Sequence, residues 1–205
     1  GLRNPGLRSL PMAERTKKVK ELRATRPDLV AEYESDVETS NSARKIISAG
    51  PYPGIGSGDI DLYKAFAWRN WQLLRHHGSL GVVLPRGALN GSGTQKWRRE
   101  ILDHGTFTDV VVGTNSRGWL FSTIHQQMTI SLVVISKFSK LNTISFAGSF
   151  HSLDEFLQGR DNLVAVPKDE FLSWTGTAAF PLIPDALAGD VFRQMRKSPA
   201  FSSTE

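Results

Sequence analysis

The sequence predicts an α/β domain with added helices. Short Val- and Ile-rich runs at 80–84, 107–112 and 128–135 are bounded by Gly, Pro or polar residues, as strands are. Amphipathic helical patterns at 59–74 and 92–102 alternate with them. Ahead of both lies a polar, basic stretch with the spacing of helices but little to bury. At 205 residues the chain has room for one large domain, or one domain and an appendage.

Residues 1–26 carry Arg3, Arg8, Arg15, Lys17, Lys18, Lys20, Arg23 and Arg26 against Glu14 and Glu21. Val19 and Leu22 are apolar within this run, and Val30 and Tyr33 follow it. The pattern predicts a solvated basic helix, a break near Pro27, and a second helix through about Arg44. Helices this polar are expected to pack on a larger body.

Residues 49–58 (AGPYPGIGSG) read as loop. Asp59 is placed to open a helix, its carboxylate accepting an orphan backbone N–H. Tyr63, Phe66, Ala67 and Leu74, with Ile60, form the expected apolar stripe. Gly78 suits the left-handed position after the helix, with His76 and His77 in its last turn. Leu80–Leu84, closed by Pro85, reads as a strand buried on both faces. Helix, turn and strand would then form half of a βαβ unit.

Ser92-Gly-Thr-Gln95 has the form of a capping box, opening a helix with Trp97, Ile101 and Leu102 inward. Phe107–Val112 and Met128–Ile135 are expected strands. The connection 113–127 (GTNSRGWLFSTIHQQ) is long for a compact domain, which marks it as functional. Thr143–Phe146 is expected as an edge strand, and Ser152-Leu-Asp-Glu155 as the cap of another short helix. Prolines 181 and 184 and a basic helix ending near Lys197 read as a linker.

No run of about 18 apolar residues spans a bilayer, so no membrane partner is expected. No signal peptide is visible. The chain has no cysteine, hence no disulfide and no thiolate metal site, which is compatible with a cytoplasmic location. The net charge of +5 points to an anionic partner, nucleic acid first. His76 and His77, adjacent on a helix, diverge too far to share a metal, and neither a Gly-x-Ser-x-Gly elbow nor a Walker loop occurs.

The ordered set Gly58-Asp59-x-x-Leu62-Tyr63-x-x-Phe66, a Gly-closed turn, Gly81-Val-Val-Leu-Pro85, Trp97-Arg98-Arg99 and strand–loop–strand resembles bacterial adenine-N6 DNA methyltransferases. The likeness is to large restriction–modification and phage-exclusion enzymes that fuse methylase and target-recognition regions. It implies the C-terminal half of a Rossmann-like S-adenosylmethionine-dependent sheet. Residues 1–58 would be a basic helical insertion with its Gly/Pro loop. Residues 59–147 would be the half-sheet, and 148–205 linker helices toward a recognition region.

The resemblance implies a site-specific enzyme that moves a methyl group from S-adenosylmethionine to adenine N6 in double-stranded DNA. Its partners would be DNA and the rest of the same polypeptide. Gly54, Gly56 and Gly58 form a glycine run, but no strand precedes it, so it reads as flexible loop rather than a cofactor cradle. Asn4-Pro5-Gly6 lacks the second proline and aromatic of the family's Asn-Pro-Pro-aromatic loop, which is expected upstream of Gly1. The chain alone is therefore expected neither to bind the cofactor tightly nor to methylate DNA.

A duplex base must be extruded before such chemistry. By the resemblance, Phe121 stacks on the extruded base; by composition alone it equally well anchors its loop to the core. His125 matches a polar position of the same loop, or is a structural hydrogen bonder. Pro85 and Asp59 fall at the active-site rim. Arg86, Lys96, Arg98, Arg99 and Arg117 are the candidate DNA contacts. The competing reading is a non-catalytic nucleic-acid-binding module built from the basic helices and the Trp/Phe loop.

Overall fold

A computed structural model describes residues 4–55, 60–138 and 142–198. The chain divides into two compact units, Gly1–Gly50 and Pro51–Glu205. Among the described residues no helix is long and apolar enough to cross a membrane.

The first unit holds two helices, α1 (Met12–Thr25) and α2 (Pro27–Ala49). Pro27 sits in the first turn of α2, where a missing N–H costs nothing. Proline also disfavours helical backbone at the residue before it, and Arg26 leaves the helix with φ −131° and ψ 73°. The Arg26 guanidinium forks onto Asp28 at 2.9 and 2.6 Å. That hydrogen bond holds the Asp28 carboxyl down at about 2. Neither helix has a buried residue. Asn4-Pro5-Gly6 forms a turn, with Gly6 at φ 84° and the Leu7 N–H on the Asn4 carbonyl.

The second unit is a mixed α/β sheet in the order β1-β3-β2-β4-β5. Its strands are β1 (Ser79–Pro85), β2 (Thr106–Thr114), β3 (Thr129–Ser136), β4 (Thr143–Phe150) and β5 (Val164–Pro167). Its helices are α3 (Leu62–Leu73), α4 (Gly87–Asn90), α5 (Gln95–His104), α6 (Leu153–Gly159), α7 (Lys168–Trp174) and α8 (Ala186–Arg196). β3 is antiparallel to both β1 and β2, while β4 is parallel to β2 and antiparallel to β5. Strands β1, β2 and β4 therefore run in one direction. The crossover through α5 joins β1 to β2 with β3 inserted between them.

Aromatic rings fill the core. Phe107 meets Trp97 and Phe180 edge-on at 5.7 and 5.1 Å, and Phe146 meets Phe171, Trp174 and Phe180. Burying such a ring contributes about 1.5–3 kcal/mol. Phe171, Trp174, Phe180 and Ile183 are all buried. The segment expected as a linker thus supplies core side chains and the strand β5.

Several local expectations are corrected. β1 is an edge strand in which only Leu84 is buried; a continuous apolar run does not tell an edge from a centre. β4, expected at the edge, lies between β2 and β5. Asp59 lies outside the described residues, and α3 begins at Leu62 with Asp61 in the capping position. The buried face of α3 is Lys64, Ala67, Trp68 and Trp71, while Phe66 is exposed. This helix is apolar nearly all round, so its periodicity did not select a face.

The helix also stops before the histidines. His77, not Gly78, takes the left-handed backbone at φ 59°, and the Gly78 N–H closes the turn on the Arg75 carbonyl. Lys137 caps the end of α3, its Nζ donating to the Trp71 and Leu74 carbonyls at 3.1 Å each. At α5 the capping position falls to Thr94 rather than Ser92, because a short 3-10 turn (Ser92–Thr94) precedes the helix. The Ser152 cap is as expected: its hydroxyl accepts the Glu155 N–H at 3.1 Å.

Candidate nucleic-acid interface

Register places the candidate residues at one sheet edge. Ile130 of β3 pairs with Pro85 of β1 on one side and Gly113 of β2 on the other. Gly113 is also level with Phe150 of β4. The carboxyl ends of all three co-oriented strands therefore emerge together. In open α/β sheets, ligands bind outside those ends. Emerging there are Arg86, the connection from Asn115 to Met128, and His151.

The connection is built around Asn115, which is 0% exposed. Its Nδ2 donates to the Phe121 and Ile124 carbonyls at 2.8 and 3.0 Å. Its Oδ1 accepts the Leu120 and Phe121 N–H groups at 3.1 and 2.9 Å. Two donors and two acceptor sites are the full capacity of a carboxamide. Its backbone N–H closes the base of the loop on the Met128 carbonyl at 2.9 Å.

Trp119 adds a second anchor, its indole N–H donating to the Thr114 carbonyl at 2.7 Å. A Cβ on Gly113 would lie 2.9 Å from Leu120 and 3.1 Å from Trp119, so only glycine lets both pack this closely. Arg117 and Gly118 take consecutive left-handed conformations, φ 55° and 74°, reversing the chain between strand and tryptophan.

Phe121 is 39% exposed, and Ile124 and Met128 of the same connection are 38% and 47% exposed. His125 is exposed, with its Nδ1 accepting the Gln127 N–H at 3.2 Å. Arg86 is half-buried, and its backbone N–H bonds to the Thr129 carbonyl where the loop rejoins β3. Ser116 Oγ and His151 Nδ1 meet at 3.3 Å, and Thr114 and Ser149 hydroxyls at 2.6 Å. Phe121, His125, Arg86, Pro85 and Arg117 thus gather at this edge.

Three candidates on α5 have their contacts elsewhere. Arg98, expected on a DNA-facing surface, is 0% exposed. Its guanidinium donates to the carbonyls of Ala88, Gly91, Thr177 and Ala178 and to the Thr94 hydroxyl. It cannot reach a phosphate, and burial lowers its pKa to about 10. Arg99 ties to the Gly176 carbonyl. Lys96 is exposed, with its stem along Gly54. A signal for Arg98 existed: it lies three residues before Ile101 and four before Leu102, within the buried stripe.

Gly54, at φ 86°, has Lys96 carbons 3.0–3.2 Å from where its Cβ would be, and it follows helix α2 in sequence rather than a strand. Gly56 and Gly58 lie outside the described residues. Beside the site, burial raises the pKa of Tyr63, with Asp61 adding to the rise and Arg98 opposing it.

No family model and no curated protein matches the chain. In structure it is similar to a type I restriction-modification methyltransferase subunit from Streptococcus thermophilus. That likeness has a TM-score of 0.46 and 14% identity, covering 63% of this chain and 32% of that one. A structure of a type I R-M system, concerned with complex assembly and conformational transition, gives 0.43 and 13% identity over 64% of this chain and 36% of that one. A cryoEM structure of a DrdV–DNA complex gives 0.34 and 12% identity over 81% and 14%. The chain spans about a third of the length of the first two.

Proposed function

We propose that this chain is the base-contacting half of an adenine-N6 DNA methyltransferase of the restriction–modification or phage-defence type. One observation carries the reading. An aromatic ring, Phe121, stands exposed at the carboxyl edge of the sheet, on a loop whose backbone is fixed by a buried carboxamide. A planar apolar ring carried on a fixed backbone suits stacking on an extruded base. Arg86 and Arg117 stand at the same edge as charge-neutralising contacts for the DNA backbone.

The rest of the polypeptide would supply the cofactor site and the Asn-Pro-Pro-aromatic loop. The open edge of β1 and the exposed Leu62, Phe66 and Leu73 on α3 support a sheet that continues beyond β1. In the complete enzyme the cofactor would provide the methyl group, and the residues described here would hold the DNA and the base.

The test compares two labelled duplexes by fluorescence anisotropy, using the 205-residue chain. One carries a single adenine opposite an abasic site; the other is abasic at both positions. The reading predicts about ten-fold tighter binding of the first, as one base–aromatic stack would give. Equal, steeply salt-dependent affinities would favour the non-catalytic nucleic-acid-binding module instead. Absence of binding at low salt would sink both.

A further inference from the structure

We infer that Asn115 is the positioning residue for base contact: it sets the direction of the Phe121 side chain without touching DNA. This rests on the reading of Phe121 as the stacking residue. The geometry is a two-point grip. One carboxamide accepts the Phe121 N–H at 2.9 Å and donates to the Phe121 carbonyl at 2.8 Å. Both peptide units flanking the Phe121 Cα are held by the same side chain. With both planes fixed, the Cα–Cβ direction is fixed, and the ring is left only the staggered χ1 positions about that bond.

The remaining two bonds secure the neighbours. The Leu120 N–H and the Ile124 carbonyl are held at 3.1 and 3.0 Å. The grip needs both donors and both acceptors, so no other residue of similar size replaces it. Aspartate keeps the acceptors, loses the donors and buries a charge. Alanine loses all four bonds and leaves the four backbone groups to water, which reaches a partly exposed loop. The loop then loosens while the sheet stays intact.

Fixing the Phe121 backbone in the free protein removes part of the ordering cost of binding. The positioning effect should therefore act on base contact and not on general DNA affinity. It should also vanish when the ring is absent. A purely structural role for Asn115 predicts neither.

The experiment is a double-mutant cycle on the full chain, read with the two duplexes above. The quantity is the ratio of affinities, adenine-bearing over doubly abasic. A new carboxylate that repels DNA weakens both duplexes alike and cancels in this ratio. Asn115→Asp and Asn115→Ala are each expected to lower the ratio from about ten to near one, as Phe121→Ala does. Combining either with Phe121→Ala should lower it no further.

If Phe121→Ala leaves the ratio unchanged, the stacking reading itself is wrong. If Phe121→Ala lowers the ratio and the Asn115 variants do not, the stacking reading stands and the positioning role is overturned. Additive losses in the double variant also overturn it. Should the Asn115 variants fail to fold, amide exchange in the wild-type chain decides. The Phe121 N–H is expected to exchange slowly before DNA is added. Exchange there at the rate of an open loop amide would contradict the grip.

Discussion

Pro85 and Gly113 pair with the same residue, Ile130, from opposite sides of β3. Two strands far apart in sequence therefore end level with one another. That coincidence sets Arg86 and the Asn115–Met128 loop at one edge, although 28 positions separate Pro85 from Gly113. Every prediction about DNA contact depends on this register.

Arg98 and Arg117 separate folding from binding. Arg98→Met should destabilise the domain by about 3 kcal/mol or more, because it strands several buried carbonyls. Urea unfolding measures this. The folded fraction should bind DNA with unchanged affinity. A loss of DNA affinity without a loss of stability would contradict the structural assignment.

Arg117 should behave in the opposite way. It is exposed at the sheet edge. Arg117→Ala should weaken binding of both test duplexes alike and reduce the slope of log affinity against log salt by about 0.9, the value of one phosphate contact. An unchanged slope would remove it from the DNA surface.

Much of this was legible in the sequence, and the failures have physical reasons. The strands stood out because Val and Ile cluster at 107–112 and 128–135 between breakers. The loop stood out by length. The burial of Arg98 and of Asn115 is much harder to read from the sequence. A basic pair, Arg98-Arg99, looks like surface, and only the spacing to Ile101 marks one of them as inward. Asn115 directly after a strand is a familiar turn residue, but its burial depends on Trp119 and Leu120 folding back over Gly113. Strand order is set by pairings between distant segments, so the edge position of β1 could not be read from Leu80–Leu84.

Gly113 tests the packing beneath the loop. A Cβ there meets side-chain atoms of Leu120 and Trp119 at 2.9 and 3.1 Å, so Gly113→Ala must displace one or both. The expected result is a modest stability loss of about 1–2 kcal/mol. The adenine preference should fall as well, since the displaced residues adjoin Phe121. Thermal melts and the two duplexes report the two effects separately.

The helical unit offers a pH test. Asp28 has its carboxyl held at about 2 by the Arg26 fork. A carboxyl lowered in the folded state contributes stability fully above its unfolded value near 3.8, and that contribution is lost as pH falls toward 2. Carbon-detected NMR titration of Asp28 should show the low midpoint, and Arg26→Ala should return it toward the ordinary value. A midpoint already near the ordinary value would mean that the fork does not form in solution.

The central claim is that the exposed ring of Phe121 stacks on a base delivered to the carboxyl edge of the sheet. The most direct measurement is the ratio of affinities for the adenine-bearing and doubly abasic duplexes, in the wild-type chain and in Phe121→Ala. The account predicts a ratio of about ten in the wild type and near one in the variant, with binding to the abasic duplex unchanged. The same ratio in both proteins would contradict it.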